Sequence, residues 1–295
     1  RHPADFALWK KAEPEHILRW PSPWGEGFPG WHIECSAMAM KYLGETFDIH
    51  GGGLENMFPH NECEIAQSEA LTGKPFANYW LLTGSLTIDG VKMSKSLGNS
   101  ITVMKALERW RPEQIRLFIL SSHYTSPVDI TDAALAAAGE GASRLAEAVR
   151  AVDHRAKNAP DGEPDALWTE KLAGYRARFC DAMDDDFNAP IAIAVLFDMV
   201  KETNALVNGA EPVTRGTLQA IGDLYRSLAG DVLGLLPIDG ARQGMDVAPF
   251  IELLIQIRQD MRATKQWAEA DKIRNQLLAL GVVLEDGPRG TTWKR

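Results

Sequence analysis

The chain has 295 residues, of which 45% are hydrophobic and 24% charged, and its formal net charge is −9. This length allows two or three domains, and the composition is that of an ordinary globular protein rather than a disordered or fibrous one. No run of about 18 apolar residues occurs and no charged-then-apolar segment opens the chain, so neither a membrane span nor a signal peptide is predicted.

Two further features of composition bear on compartment and partners. Three cysteines in a long chain argue against a disulfide framework and favour a reducing cytoplasm. The segment from Ile255 to Arg295 contains eight basic and five acidic residues. Its formal net charge is therefore +3, and that of the rest of the chain is −12. We therefore expect a polyanion such as a nucleic acid to bind at this end of the chain.

The first 30 residues are rich in Trp, Pro and Gly and predict an irregular segment. The sequence begins at Arg1 without a methionine, and we expect that further chain precedes it. A helix carrying Cys35 follows from Gly30. Phe47–His50 then predicts a short buried strand that ends in three glycines, where backbone can approach a ligand closely.

The next helix carries a candidate metal pair. Pro59 suits a first helical turn, so His60 and Glu64 fall at i and i+4 on one face. With Cys35 they make three ligand types that zinc accepts, and three protein ligands with an open position are typical of a catalytic zinc. The alternative is a core thiol beside a helix-surface pair, and Cys63 competes as a ligand.

A positively charged loop follows two further predicted strands, Phe76–Leu82 and Ser85–Ile88. The loop runs Lys-Met-Ser-Lys-Ser from Lys92 to Ser96, and its lysines and hydroxyls suit a polyphosphate. The alternative is a solvated surface loop. Short helices are predicted at 102–109 and 112–120.

Residues 131–236 have the apolar spacing of a bundle of four or five helices. Asp184, Asp185 and Asp186 lie between two of them, and we expect them to cap the helix that begins near Pro190 rather than to bind metal. A linker at 237–249 leads to two helices and two short strands in residues 250–295.

In combination these segments resemble the cysteinyl-tRNA synthetases, a family of class I aminoacyl-tRNA synthetases. The resemblance covers essentially the whole chain, in the family's order and spacing. It is carried by Asp5–Lys10, Gly30–Met38, Asp48–Gly53, Phe58–His60, Glu64–Glu69, Lys92–Asn99, His123–Pro127, Met183–Pro190 and Leu284–Trp293.

The resemblance implies an α/β plus all-α architecture. Residues 1–100 would form the C-terminal half of a Rossmann-type catalytic domain with the zinc site and the lysine loop, and residues 101–130 a connection that contacts the tRNA stem. Residues 131–236 would form a DALR-like helical bundle, 237–249 a linker, and 250–295 a small α/β anticodon-binding domain.

The implied activity is the ATP-dependent joining of L-cysteine to tRNA(Cys) through cysteinyl-adenylate, with Mg²⁺ accompanying ATP. One zinc per chain would select the substrate thiolate, since zinc favours sulfur and ligates a hydroxyl far less well. The implied site residues are three zinc ligands (Cys35, His60, Glu64), a cysteine contact (Trp31), catalytic lysines (Lys92, Lys95), further contacts to ATP or adenylate (Ser94, Ser96, His50, Gly52) and anticodon contacts (Arg262, Trp267, Asp271, Asp286).

Three departures from the family pattern stand out. The family's fourth zinc ligand, a cysteine near its N-terminus, and its His-x-Gly-His ATP loop do not occur in this sequence. Asn61 and Cys63 stand where the family commonly has His and Asn, although neither position is a zinc ligand. We therefore expect a C-terminal part of a synthetase, monomeric and inactive by itself.

Two alternatives remain open at this stage. The related ligase that joins cysteine to an aminosugar-inositol shares the zinc and lysine-loop motifs but needs no anticodon domain, so residues 250–295 argue against it. A non-catalytic tRNA-binding protein would keep the bundle and tail but would not need Cys35, His60, Glu64 or the lysine loop.

Overall fold

The computed structural model describes residue 2 and residues 5–94, 96–237, 248–287 and 290–294. The chain divides into two compact units, Arg1–Pro237 and Ile238–Arg295. Among the described residues, no helix is both long and apolar enough to cross a membrane.

A small parallel α/β unit forms the first half of unit 1. Strand β1 (Trp9–Lys11) pairs antiparallel with β2 (Gly27–Pro29), and helix α1 (Trp31–Leu43) follows. Strand β3 (Phe47–Gly53), helix α2 (Glu62–Thr72) and strand β4 (Ala77–Thr83) then form a β–α–β unit in which the two strands are parallel. The segment 1–30, expected to be irregular, thus contains a short antiparallel strand pair. Strand β3 includes the three glycines in which the predicted strand ends, but its residues are half-buried or exposed and not buried as predicted.

Short irregular helices shape the entry to α2. A 3₁₀ turn at Leu54–Asn56 leads into a π-type turn at Met57–Asn61, which α2 extends. Gly73 ends α2 at φ 67°, a left-handed conformation that favours glycine. Phe76 is fully buried and packs edge-on against Phe47 at 5.0 Å between ring centroids, which fixes the two parallel strands to each other.

The lysine loop extends from a three-stranded sheet of order β6–β5–β7. Strands β5 (Leu86–Ile88) and β6 (Val91–Lys92) form a hairpin whose turn residues, Asp89 and Gly90, have φ of 49° and 76°, as a tight hairpin turn requires. Strand β7 (Val128–Ile130) lies parallel to β5. Asp129 on β7 accepts hydrogen bonds from the Gly90 amide at 2.8 Å and the Thr87 hydroxyl at 2.5 Å, so β7 holds the hairpin turn.

Helices make up the rest of unit 1. Helices α3 (Val103–Arg109) and α4 (Pro112–Leu120) lead to a bundle of α5 (Asp132–Lys157), α6 (Ala166–Asp184), α7 (Ala189–Asn208) and α8 (Arg215–Tyr225), extended by a π-type segment at Arg226–Val232. The bundle core consists of side chains that are fully buried, among them Leu145, Leu196, Met199, Leu218, Ile221 and Tyr225. The predicted bundle of four or five helices is confirmed.

The turn before α7 differs from the expected acidic cap. Asn188, not an aspartate, caps the helix by accepting a hydrogen bond from the Ile191 amide. Asp186 instead accepts a hydrogen bond from the Tyr124 hydroxyl at 2.7 Å. Asp186 and Phe187 have φ of 51° and 54°, which are left-handed values within this turn.

Unit 2 is a two-helix, two-strand module. Helices α9 (Ala248–Ala263) and α10 (Trp267–Ala279) precede an antiparallel pair, β8 (Val283–Gly287) and β9 (Gly290–Lys294). Ile251, Ile255, Leu277 and Val282 form its buried core. Most of the predicted linker, residues 238–247, lies outside the described residues.

Candidate functional site

Three potential metal ligands converge between α1 and the start of α2. The Cys35 thiol, a ring nitrogen of His60 and a carboxylate oxygen of Glu64 all lie within 4.8 Å of one another. His60 and Glu64 meet because they are one helical turn apart, with His60 Nε2 3.6 Å from Glu64 Oε1. Cys35 comes from α1, which packs against α2. Cys63 is buried in α2 and is not part of this group.

Burial shifts the pKa of each of these three side chains in the direction that favours its neutral form. Glu64 is only 1% exposed, and burial raises the pKa of its carboxyl against the opposing effect of nearby His50. Burial, with the Glu64 and Glu34 carboxylates, also raises the pKa of the Cys35 thiol. Burial and the neighbouring His32 and His50 lower the pKa of His60. A divalent cation would compensate these costs, and sulfur, imidazole and carboxylate are donors that zinc accepts. The residues therefore fit a zinc ion.

Two more histidines surround the cluster. Nδ1 of His32 lies 2.7 Å from Nδ1 of His60. Nε2 of His50 lies 3.0 Å from Glu64 Oε2. The His50 ring stacks on Trp80 at 4.2 Å. The sequence reasoning missed His32, although its position one turn before Cys35 on the same helix was an available signal.

The cluster opens into a cavity of ≈ 400 Å³ between α1 and β3. Trp31 stacks on His60 at 3.9 Å between ring centroids and lies 56% exposed at the wall of the cavity. His50 and Gly52 from β3 complete the set of predicted contacts that line it. The structure thus brings the three potential metal ligands, Trp31, His50 and Gly52 around one cavity.

The lysine loop is closed by an asparagine that the sequence reasoning did not single out. The Asn99 side chain accepts a hydrogen bond from the Ser94 amide at 2.9 Å and donates one to the Lys92 carbonyl at 3.2 Å. The hydroxyls of Ser94 and Ser96 lie 3.1 Å apart. Lys95, the second predicted catalytic lysine, lies outside the described residues.

Lys92 connects the loop with the end of β3. Its ammonium lies 3.7 Å from the carboxylate of Glu55, two residues beyond the last residue of β3. Both side chains are more than half exposed, so this ion pair is weak and a stronger anion can replace it.

The predicted anticodon contacts belong to unit 2. Trp267 begins α10 and is 55% exposed, with the Arg262 guanidinium 5.9 Å from its ring centroid. Asp271 pairs with Arg274 one turn further on, at 3.3 Å. Asp286 lies on β8, but its side chain is not among those described.

Three protein-family domains match successive parts of the chain. Residues 1–140 match the catalytic domain of class I (C) tRNA synthetases, residues 178–237 match the DALR domain, and residues 246–293 match the anticodon-binding domain of cysteinyl-tRNA ligase. The fold is therefore that of a class I aminoacyl-tRNA synthetase.

Individual relatives narrow the assignment. The chain is 50% identical over 301 residues to the cysteine–tRNA ligase of Deinococcus radiodurans, covering all of this chain and 60% of that protein. It is 45% identical over 304 residues to that of Chlorobaculum tepidum, with the same coverage of both. Over its whole length the chain matches the C-terminal part of the cysteine–tRNA ligases, and it spans about 60% of the length of these curated relatives.

A solved structure supports the fold alone. The agnB2 LeuRS of Agrobacterium radiobacter K84, in a ternary complex with tRNA and LeuAMS, is 14% identical with a TM-score of 0.51. The similarity covers 77% of this chain and 34% of that one.

Proposed function

We propose that this chain is part of an enzyme that activates L-cysteine with ATP, in the presence of Mg²⁺, and transfers it to tRNA(Cys). The observation that carries the proposal is the cavity in which Cys35, His60 and Glu64 converge beside Trp31. The three domain matches and the similarity to curated cysteine–tRNA ligases support it. We further propose that the enzyme acts in the cytoplasm as a monomer.

Cys35, His60 and Glu64 would hold one zinc ion. When bound, zinc supplies an electrophile that takes a substrate thiolate in preference to a hydroxyl, which is discrimination that an apolar pocket cannot provide. Trp31 would close the amino-acid end of the cavity against water and keep the His60 ring in place through stacking. His50 and Gly52 of β3, which line the same cavity, would contact the adenylate.

The lysine loop would bind the phosphates of ATP. We propose that Lys92 exchanges its contact with Glu55 for the phosphates, and that Lys95, Ser94 and Ser96 add further charge and hydroxyl donors. Their role is to stabilise charge that develops as pyrophosphate leaves.

Replacing Lys92 with Gln tests this role. In a chain completed with the part of a relative that it does not cover, we expect adenylate formation about 10²- to 10³-fold slower. Lys74→Gln is the matched control, since Lys74 also forms an exposed ion pair, with Glu45, and has a similar exposure. Equal rates for the two variants would contradict the role of Lys92.

Zinc binding should depend on pH in a defined direction. Because the pKa of Cys35 is raised in the folded chain, the group is a thiol at neutral pH. Zinc needs the thiolate, so each zinc bound releases about one proton and the affinity increases about tenfold per pH unit below the thiol pKa. Calorimetry in two buffers of different ionisation enthalpy measures this release. Zinc affinity independent of pH between about 6 and 8 would contradict it.

Unit 2 would read the anticodon with Arg262, Trp267, Asp271 and Asp286, which offer a stacking ring, carboxylate acceptors and a guanidinium to single-stranded bases. Trp267→Leu should weaken binding of cysteine tRNA by about 1–3 kcal/mol. Leu278→Ala is the control, because Leu278 lies on the same helix and is exposed to the same degree. A filter-binding titration at fixed salt measures both, and equal losses would contradict the stacking role.

A second candidate function is the ligation of cysteine to an aminosugar-inositol. It would use the same zinc cluster and lysine loop, but the anticodon-binding match at 246–293 favours tRNA. Aminoacylation of purified cysteine tRNA by the completed protein tests the choice. Cysteinyl-tRNA as product supports the proposal, and product with the aminosugar but none with tRNA contradicts it.

A further inference from the structure

The contact between His32 and His60 constrains the proton of each ring. Their Nδ1 atoms lie 2.7 Å apart, so one of the two must donate a proton and the other must accept it. The other nitrogen of His60, Nε2, faces Glu64 Oε1 at 3.6 Å within the metal cluster. The state of His32 therefore decides which nitrogen of His60 has a free lone pair.

Only one of the two arrangements is compatible with a metal ligand. If His32 donates, a neutral His60 ring carries its proton on Nε2. That N–H then points at Glu64, and His60 has no lone pair to offer to the cluster. If His60 donates from Nδ1, its Nε2 lone pair is free for a cation and His32 is protonated on Nε2 instead. Metal-ligating histidines generally donate their other N–H to an acceptor that fixes ring and tautomer.

We propose that His32 is a positioning residue for the metal site, and that its Nδ1 accepts the proton of His60 Nδ1 and so directs the His60 Nε2 lone pair at the cation. This inference rests on the proposed zinc site. It adds an imidazole where a carboxylate or backbone carbonyl is the more common acceptor.

Neighbouring rings hold His32 in place for this role. Phe6 packs edge-on against the His32 ring at 5.7 Å, and Trp31 stacks near it at 5.9 Å. Trp31 also stacks directly on His60. The two imidazoles are thus held in place by the same aromatic group.

Two variants separate acceptor from packing. His32→Phe keeps a ring between Phe6 and Trp31 but offers no acceptor, whereas His32→Asn loses the ring but places a carbonyl oxygen near the position of Nδ1. We expect zinc affinity, measured by competition with a chromophoric chelator, to fall about 10- to 100-fold in His32→Phe and to stay within a few-fold in His32→Asn. Circular dichroism of each metal-free variant controls for folding.

The tautomer itself is observable by nitrogen-15 NMR of the zinc-loaded chain. We expect His60 to be protonated at Nδ1 and bound through Nε2, and His32 to be protonated at Nε2. Unchanged zinc affinity in His32→Phe, equal losses in both variants, or His60 bound through Nδ1 would overturn the inference while leaving the zinc site itself intact. Failure of the unaltered chain to bind zinc would overturn the zinc proposal together with this inference.

Discussion

Replacing Cys35 with Ser should lower the zinc affinity of this chain by more than about 100-fold, beyond the ~10- to 100-fold that loss of an outer partner costs. The thiol is the only sulfur in the cluster, and it supplies the softest and most strongly bound donor once it is deprotonated. A serine hydroxyl of similar size stays protonated, so His60 and Glu64 would bind the cation with one donor fewer. Chelator competition at constant pH measures the change.

Cys63→Ser is the matched control for this substitution. Cys63 is also buried, directly precedes Glu64 in α2, and is not part of the cluster. Its replacement should leave zinc affinity within a few-fold of the unaltered chain, although the buried hydroxyl will reduce stability. If Cys63→Ser abolishes zinc binding and Cys35→Ser does not, the assignment of the ligands is wrong.

The second large effect concerns the helical bundle. Leu196 on α7 is fully buried among Leu, Ile and Val side chains of neighbouring helices. Leu196→Ala should lower the free energy of unfolding by about 2–5 kcal/mol, because it removes apolar burial and leaves a cavity that close-packed neighbours fill only in part. Urea unfolding followed by helix circular dichroism gives this difference.

Leu167→Ala controls for the loss of methyl groups without loss of core. Leu167 lies in the first turn of α6 and is 59% exposed. Its replacement should change the free energy of unfolding by less than about 0.5 kcal/mol. A cost at Leu167 that equals the cost at Leu196 would contradict the packing described for this bundle.

The helices were the part of the fold that sequence periodicity predicted best. The predicted helix at 112–120 forms as α4, and the helices predicted in residues 131–236 form as the bundle of α5 to α8. Segments with a long amphipathic pattern form helices in the structure because each helix buries one apolar face. The hairpin of β1 and β2 was missed because strands of three residues are too short to show an alternating pattern.

Backbone conformation determines which residue caps α7. The three aspartates before α7 carry the charge expected at a helix N-terminus, yet Asn188 makes the cap because its backbone position places the side chain opposite the Ile191 amide. Charge alone does not specify this position, since a cap requires a particular backbone conformation at one residue.

In the candidate site, the contact within one helix was easier to predict from residue spacing than the contacts between different helices. His60 and Glu64 lie one turn apart, so their proximity follows from helix geometry. That Cys35 joins them, and that His32 reaches His60, depends on how α1 packs against α2. The hydrogen bonds of Asn99 likewise join residues that are five and seven positions apart in a loop without regular periodicity.

Cysteine-dependent ATP–pyrophosphate exchange tests the central claim most directly. It would be measured on this chain alone and on the chain joined to the part of the Deinococcus radiodurans relative that it does not cover. We expect exchange only in the joined protein, with cysteine active and serine inert, since a zinc ion at the proposed site would select sulfur. Exchange that serine supports as well as cysteine, or no cysteine-dependent exchange in the joined protein, would contradict the proposed function.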